Sequence, residues 1–183
     1  VLDLNDLTEE EILNNMRSTT RWSINNSYKH GLKLVEIDES RIEDFKNLME
    51  HTGERRGFID RSINYYKRMY ESFKKEDNIK IMLVDLDIEE YLSNLNHQKK
   101  ENLMKQVEIK SRPDSGKGKR VLKELESQLT GLQKRIEVLN ILLLEKGKVI
   151  TIAGGLFMTF GQEVVSLFGA SYKEYMKFNG QFF

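Results

Sequence analysis

Residues 122–143 read LKELESQLTGLQKRIEVLNILL, and the spacing of the apolar side chains in this stretch decides how the rest of the chain is interpreted. The apolar residues recur at alternating intervals of three and four, at Leu122, Leu125, Leu129, Leu132, Ile136, Leu139 and Leu143. This is heptad spacing, which is typical of a long helix whose apolar seam packs on another helix.

The stretch before the seam predicts the partner helix. It is a less regular helical pattern that holds Ile88, Leu92, Leu95, Leu103 and Val107. The chain's only proline, Pro113, lies between the two patterns in the run from Ser111 to Gly118, so the helices are expected to form an antiparallel coiled-coil hairpin. A helix of about 23 residues rises roughly 35 Å, so this hairpin is long enough to form an arm.

The segments on either side of the arm carry mixed helix and strand signals. Thr8 and Glu11 form a capping-box pattern that predicts a helix from about residue 9, and Gly31 predicts the end of a second helical stretch. The apolar spacing predicts helices over residues 42–49 and 63–73 and strands over residues 32–37 and 79–83. Residues 55–62 are expected to form a loop. Apolar runs after Gly147 predict that the strands resume. The sequence therefore predicts an α/β (α+β) domain over residues 1–87 and 147–183, interrupted by an arm over residues 88–146.

Length and composition exclude several classes of protein. The chain has 183 residues, which suits one domain with an appendage, and 39% hydrophobic with 32% charged residues is not the composition of a low-complexity tail. Because there is no cysteine, disulfides, thiolate nucleophiles and cysteine-ligated metals are excluded. The start at Val1 and the aromatic stretch that ends at Phe183 lead us to expect a piece of a longer protein.

Charge is balanced overall but uneven along the chain. There are 29 basic and 29 acidic residues, yet residues 99–123 hold nine basic and three acidic side chains. Such a local excess suits contact with phosphates of a nucleic acid, and it equally suits a solvated helix face. The basic residues nearest the predicted turn are Lys110, Arg112, Lys117, Lys119 and Arg120.

Two further patterns carry little chemistry. His30, His51 and His97 are far apart and lack metal-ligand spacing, so we expect surface histidines and neither a metal site nor a catalytic triad. Gly116-Lys117-Gly118-Lys119 lacks the spacing and the preceding strand of a phosphate-binding loop and is expected to be a flexible turn of the hairpin.

Arg61 and Tyr65 form a candidate binding pair. They are four residues apart at the predicted start of a helix, so both can lie on one face of it. A guanidinium beside a helix N-terminus and a phenol suits a phosphate or a carboxylate, although a structural salt bridge and a packed tyrosine would give the same pattern. The small-residue turn Phe168-Gly169-Ala170-Ser171 is equally ambiguous by itself.

Taken together, these motifs resemble the FemABX family of peptidoglycan peptidyltransferases over essentially the whole chain. The resemblance rests on several landmarks in the same order, which are Leu2-Asp3-Leu4, the segment from Arg21-Trp22 to Gly31, the segment from Thr52 to Phe58, Arg61 with Tyr65, the helical hairpin inserted into a sheet, and Phe168-Gly169-Ala170-Ser171.

The resemblance implies a partial Gcn5-type acyltransferase-like domain with an inserted coiled-coil hairpin. It implies an aminoacyltransferase of cell-wall biogenesis that moves an amino acid from aminoacyl-tRNA to the stem-peptide lysine or cross-bridge of a peptidoglycan precursor, either lipid II or UDP-MurNAc-pentapeptide. It also implies a cytoplasmic enzyme at the inner face of the bacterial membrane, a peripheral contact with that membrane, a homologous Fem-type partner, and no cofactor or metal.

The resemblance assigns roles to particular residues. Arg61 and Tyr65 match positions that contact the muramyl-peptide precursor, and Phe168 stands where some members have a tyrosine that touches the same ligand. On this interpretation the basic residues of the arm, Lys110, Arg112, Lys117, Lys119 and Arg120, contact tRNA. The lysine that the family uses near the reacting carbonyl falls after Phe183, so no catalytic residue is named. The alternative is a non-catalytic binding module whose hairpin docks on another protein.

Overall fold

A computed structural model describes residues 7–111 and 115–182. The chain divides into two compact units. The first contains the described residues up to Leu86 together with those from Thr151 onward, and the second spans Asp87–Ile150. The landmark Leu2-Asp3-Leu4, as well as Arg112, Pro113 and Phe183, lie outside the described residues.

The first unit opens with two short helices, α1 (Glu9–Asn15) and α2 (Ser18–Ser27). The predicted capping box is confirmed, because the Thr8 Oγ1 accepts a hydrogen bond from the Glu11 backbone at 3.3 Å and the Glu11 carboxylate accepts one from the Thr8 backbone at 2.8 Å. A single 3₁₀ turn, Tyr28–His30, follows α2. Gly31, at φ +64°, ends it in the left-handed conformation, as predicted.

Two longer helices follow, α3 (Ile42–Arg56) and α4 (Ile63–Lys74). The predicted loop over residues 55–62 is wrong at its start, because Arg55 and Arg56 form the last turn of α3. The helix ends only at Gly57, whose φ of +77° provides a left-handed C-terminal cap. The basic side chains also favour helix at these positions, since they interact well with the negative end of the helix dipole.

The sheet has four strands in the order β1-β2-β3-β4: β1 (Leu32–Glu36), β2 (Ile79–Asp87), β3 (Val149–Phe160) and β4 (Glu163–Ser171). Strands β1 and β2 are antiparallel, with Leu34 opposite Val84, and β3 and β4 are antiparallel, with Met158 opposite Val165. The mixed α+β class is therefore confirmed. Two of the apolar runs after Gly147 belong to the single strand β3, because Gly154 and Gly155 between them are extended.

The core of the first unit lies between the helices α3 and α4 and one face of the sheet. Its buried side chains come from α3, α4, β2, β3 and β4, and they include Ile42, Phe45, Leu48, Met49, Tyr66, Tyr70, Ile79, Ile81, Leu83, Leu156 and Ala170. Removing this apolar surface from water is the main stabilising term for the unit. The same packing fixes α4 against β4, which positions the candidate site described below.

An ion pair between a half-exposed arginine and a buried aspartate joins the residue before α3 to the sheet. The Arg41 guanidinium donates to both carboxylate oxygens of Asp85 at 2.9 and 3.2 Å. The Thr151 hydroxyl donates to the same carboxylate at 2.7 Å, and the Asp85 side chain is only 8% exposed. These hydrogen bonds satisfy a charge that is removed from water, and they raise the pKa of Arg41.

The second unit consists mainly of α5 (Ile88–Lys110) and α6 (Gly116–Lys146). Hydrogen bonds join Lys99 to Gln133, Asn102 to Gln128 and Gln106 to Glu126. The partner number falls as the α5 number rises, so the two helices are antiparallel. We call the end where α5 meets α6 the closed end, and the end at Ile88 and Lys146 the open end. Every predicted seam residue from Leu122 to Leu143 is buried or half-buried.

The inward face of α5 changes character along its length. Near the open end it presents buried Ile88, Tyr91, Leu92 and Leu95. Toward the closed end it presents the polar Lys99, Asn102 and Gln106. The prediction that Leu103 and Val107 lie on the inward face of α5 is therefore wrong, because their side chains are 43% and 69% exposed. The neighbouring Met104 is 60% exposed. Continuing the open-end face by heptad steps of four and three leads to residues 99, 102 and 106, so geometry overrides hydrophobicity here.

The expected flexible turn at Gly116-Lys117-Gly118-Lys119 is also wrong. These residues form the first turn of α6, and the Ser115 side chain caps it by accepting a hydrogen bond from the Gly118 backbone at 3.0 Å. The serine cap outweighs the two glycines, whose helix propensity is low.

Candidate functional site

The loop between α3 and α4, residues 57–62, is held tightly against the end of α3. The backbone N–H groups of Gly57 and Phe58 both donate to the Gly53 carbonyl, at 2.8 and 3.0 Å. A Cβ atom on Gly53 would lie 2.7 Å from the Phe58 carbonyl oxygen, so only glycine permits this approach. The loop therefore leaves α3 in one defined direction and presents Arg61 and Ser62 to solvent, while Asp60 turns inward.

The structure brings together the three side chains that sequence reasoning singled out. The guanidinium carbon of Arg61 lies 5.7 Å from the centroid of the Tyr65 ring, and that ring lies 6.4 Å from the Phe168 ring in an edge-to-face arrangement. Arg61 is exposed, while Tyr65 and Phe168 are half-buried against the core of the first unit. One guanidinium and two aromatic rings thus share a continuous surface.

The electrostatics around Arg61 favour an anion. Arg61 lies two residues before α4, the N-cap residue Ser62 makes no side-chain capping hydrogen bond, and the first turn from Ile63 carries no acidic side chain. Within residues 7–111 and 115–182, Arg61 forms no ion pair. The positive side chain and the positive end of the helix dipole therefore act in the same direction.

The acidic neighbour of Arg61 is engaged elsewhere. The Asp60 carboxylate accepts a hydrogen bond from the Tyr66 hydroxyl at 2.6 Å and lies 2.9 Å from the Lys46 ammonium. Burial, together with Asp60, raises the pKa of Tyr66 far above its ordinary value. Burial alone would lower the pKa of Lys46, but its hydrogen bond to Asp60 and the negative charge outweigh burial, so that pKa is raised. Sequence reasoning missed Asp60, Lys46 and Tyr66, because Lys46 and Asp60 come from different elements.

A cavity of about 380 Å³ lies in the first unit, with Phe168 in its wall. Gly154, Gly155 and Gly169 leave part of the strand backbone bare, and Arg55 and Met176 lie at another side. The Arg55 guanidinium contacts the Met176 Sδ at 3.2 Å and the Ser171 carbonyl at 3.4 Å. The cavity therefore offers a slot with an apolar wall that includes the Phe168 ring, and two arginines, Arg55 and Arg56, also line it.

The predicted basic residues of the arm lie at the closed end of the second unit. Lys110, Lys117, Lys119 and Arg120 are exposed, and Arg112 lies outside the described residues. The first turn of α6 has no acidic side chain, so its lysines add to the positive end of the helix dipole. Lys99, by contrast, donates to Gln133 across the helix pair and is withdrawn from this basic surface.

The histidines only partly match expectation. His30 is 7% exposed, and its Nδ1 lies 2.9 Å from the Phe178 carbonyl oxygen, so the prediction of a surface residue is wrong for it. The aromatic segment near Phe178 folds back over His30 and buries it. Across the described residues, no group of three or more His, Cys, Asp or Glu side chains is arranged to hold a metal ion.

No helix in the described part of the chain combines the length and the apolar character that crossing a membrane requires.

Comparison with known proteins gives consistent matches. A family model described as the FemAB family matches residues 1–183. The lipid II:glycine glycyltransferase of Staphylococcus haemolyticus is 27% identical over 94% of this chain and 42% of its own length. The aminoacyltransferase FemA of Staphylococcus aureus is 28% identical over 100% of this chain and 44% of its own length.

A solved structure supports the fold. The crystal structure of FemX superimposes with a TM-score of 0.81 over 97% of this chain and 45% of FemX, at 24% sequence identity. The chain therefore has the fold of the corresponding part of FemX. It spans less than half the length of each of these three proteins.

Proposed function

This chain belongs to the FemAB family, and from that membership and the geometry around Arg61 we propose that it is part of an aminoacyltransferase of peptidoglycan synthesis. The reaction moves an amino acid from aminoacyl-tRNA to the stem-peptide lysine or the cross-bridge of lipid II or of UDP-MurNAc-pentapeptide. The family match over the whole chain is the observation that carries this proposal. The names of the two staphylococcal relatives, an aminoacyltransferase and a lipid II:glycine glycyltransferase, support it.

The chemistry asks mainly for alignment. The acceptor amine attacks the ester carbonyl of the aminoacyl-tRNA, an amide bond forms, the ester C–O bond breaks, and the proton lost by the amine goes to the ribose oxygen that leaves. Because the ester is already activated, positioning two bound substrates provides a large part of the rate enhancement. We name no catalytic residue in this chain.

In this proposal Arg61, Tyr65 and Phe168 form the acceptor site. Arg61 is exposed, is held over the Tyr65 ring, and stands at the start of α4, which suits the diphosphate or a carboxylate of a muramyl-peptide precursor. Tyr65 and Phe168 offer ring surface to the sugar or the peptide. Phe168 lacks the hydroxyl of a tyrosine, so it contributes ring packing alone.

We further propose that the first unit is a partial Gcn5-type acyltransferase-like domain formed by residues 1–87 and 147–183, and that residues 88–146 are a coiled-coil arm that contacts tRNA. The four-stranded sheet with α3 and α4 packed on one face supports the first statement. The exposed Lys110, Lys117, Lys119 and Arg120 support the second, since phosphate binding by such residues is driven by counterion release. Because aminoacyl-tRNA is a cytoplasmic substrate, we place the enzyme at the inner face of the bacterial membrane.

One observation favours a second candidate role for the arm. Leu103, Met104 and Val107 form an exposed apolar stripe on α5, and exposed apolar stripes often contact other proteins. On this alternative the hairpin docks on a protein partner, such as a homologous Fem-type protein, and the basic closed end is a solvated surface.

The test is transfer of labelled glycyl, seryl or alanyl groups from tRNA to lipid II by the full-length protein. Labelled lipid II is the expected product with at least one donor. If no donor is used, and the UDP-linked precursor is not labelled either, the proposal is wrong and the binding-module alternative gains support.

A further inference from the structure

Asp60 poses a chemical conflict for the proposed acceptor site. It is the residue next to Arg61, and a carboxylate close to a guanidinium commonly forms an ion pair with it. Such a pair would neutralise Arg61 and place negative charge where the anionic group of the precursor is proposed to bind. The structure avoids this, because the Tyr66 hydroxyl donates to Asp60 Oδ1 at 2.6 Å and the Lys46 ammonium forms an ion pair with Oδ2 at 2.9 Å.

Burial makes these contacts strong. The Asp60 side chain is 4% exposed, Lys46 is 15% exposed and Tyr66 is fully buried. Water competes little for a carboxylate in such surroundings, and a buried carboxylate that loses its partner is costly. Asp60 is thus held facing the α3–α4 core, while the exposed Arg61 beside it is left to other ligands.

Tyr66 links this carboxylate to the rest of the site. Its ring makes edge-to-face contacts with Phe45 at 5.4 Å, with Tyr65 at 5.6 Å and with Phe168 at 5.7 Å. Tyr66 therefore contacts the rings of Tyr65 and Phe168, which belong to the proposed acceptor site. Its hydroxyl also bonds Asp60, the neighbour of Arg61 in the sequence.

We propose that Asp60, Lys46 and Tyr66 are positioning residues that keep Asp60 away from Arg61 and fix the loop, so that Arg61 is available to the anionic group of the muramyl precursor. This inference rests on the proposed function. We call the three residues the Asp60 lock.

A pair of matched variants tests the lock in the full-length protein. Tyr66→Phe keeps the ring and removes only the hydroxyl bond to Asp60. Tyr70→Phe is the control, because Tyr70 is also buried, lies one turn further along α4, and loses a hydroxyl bond to the Ile37 carbonyl instead. UDP-MurNAc-pentapeptide is the probe, with affinity measured by calorimetry and stability by urea unfolding. We expect Tyr66→Phe to weaken binding about five- to tenfold, as a less organised site would, and Tyr70→Phe to leave affinity unchanged.

A second pair of variants, Lys46→Met and K46M/D60N, distinguishes competition for Arg61 from a loss of stability. Lys46→Met frees the Asp60 carboxylate to pair with Arg61 and is expected to weaken binding about tenfold. Adding Asp60→Asn removes that competing charge, so the double variant K46M/D60N is expected to regain most of the lost affinity. In kinetics, the same variants should raise the KM for the acceptor and leave the KM for aminoacyl-tRNA unchanged.

Arg61→Ala separates the two proposals. If Arg61→Ala weakens binding of the probe but Tyr66→Phe and Lys46→Met do not, the lock is overturned and the acceptor site stands. If Arg61→Ala itself has no effect, the proposed acceptor site is overturned. If K46M/D60N binds no better than Lys46→Met, charge competition with Arg61 is refuted.

Discussion

Arg61 is held over the face of Tyr65, with 5.7 Å between the guanidinium carbon and the ring centroid. A cation over an aromatic face is attracted to the ring without being neutralised by it. Arg61 thus keeps its full charge and its hydrogen-bond donors while its position is restrained. This combination is what a binding residue for a phosphate or carboxylate requires.

Replacing Arg61 by alanine is expected to raise the KM for the acceptor by roughly 10- to 100-fold, which corresponds to the loss of about 1.5–3 kcal/mol from a charge-assisted hydrogen bond. The KM for aminoacyl-tRNA should change much less, because Arg61 is proposed to contact the acceptor alone. Initial rates with each substrate varied in turn measure the two constants. Arg68→Ala on α4, whose side chain is exposed, is the control. Equal changes in both constants would indicate a structural role for Arg61.

Neutralising two lysines at the closed end of the arm is expected to weaken tRNA binding and to lower its salt dependence. In Lys117→Gln/Lys119→Gln, the slope of log K against log salt should fall in magnitude by about 1.4–1.8, for two lost phosphate contacts. The matched control is Lys134→Gln/Lys146→Gln, which removes the same charge from exposed positions further along α6. Filter binding at several salt concentrations measures both slopes. Identical slopes for the two variants would favour the protein-docking alternative.

Asp85→Ala is expected to destabilise the fold by about 2 kcal/mol, because Arg41 and Thr151 would lose a buried charged hydrogen-bond partner while Arg41, 34% exposed, keeps Asp44 and water. Asp44→Ala removes a different partner of the same guanidinium, but Asp44 is 43% exposed whereas Asp85 is 8% exposed. That control should cost less than about 1 kcal/mol. Urea unfolding of both variants measures the difference. If the two variants lose similar amounts of unfolding free energy, the burial of Asp85 does not strengthen its pairing with Arg41.

Alkaline pH should destabilise the protein partly through Tyr66. Burial and Asp60 raise the pKa of Tyr66, so above about pH 10 the unfolded state releases this proton and the folded state keeps it. The stabilising contribution is therefore complete below about pH 10 and is lost as the pH rises further. Tyr66→Phe should make the fall in unfolding free energy shallower, by up to about 1.4 kcal/mol per pH unit. Urea unfolding at pH 9, 10 and 11 measures the slopes, and equal slopes for both proteins would contradict the expectation.

Local signals allowed much of the fold to be predicted. Some signals act over a few residues or at a fixed spacing and can therefore be recognised in the sequence itself. Examples are the Thr8–Glu11 capping box, the left-handed Gly31 and the seam from Leu122 to Leu143. The pairing of Arg61 with Tyr65 follows from helical spacing in the same way. The family resemblance gave Phe168 the same ligand as this pair, but the ring contact between Tyr65 and Phe168, more than one hundred residues apart, is found only in the structure.

The features that were missed depend on tertiary structure. Nothing local in the sequence shows that Asp60 meets Lys46 of α3 or that Asp85 meets Arg41, because these partners come from different elements. His30 is buried by a segment 148 residues away. The apolar residues near the open end of α5 set which face of the helix turns inward. The same heptad spacing continues beyond Leu95, so Lys99 also faces the interior of the helix pair although it is polar.

That change from an apolar to a polar inner face has a mechanical consequence for the helix pair. Near the open end, Leu92 and Leu95 are buried, and separating the helices would expose their side chains to water. Near the closed end, the bonds of Asn102 and Gln106 are replaced by bonds to water at little net cost. Residues 96–110 of α5 contribute no buried side chain, whereas Leu125 of α6 stays buried there. The helix pair is therefore held less firmly toward its closed end than at its open end, and thermal breathing is expected to concentrate there.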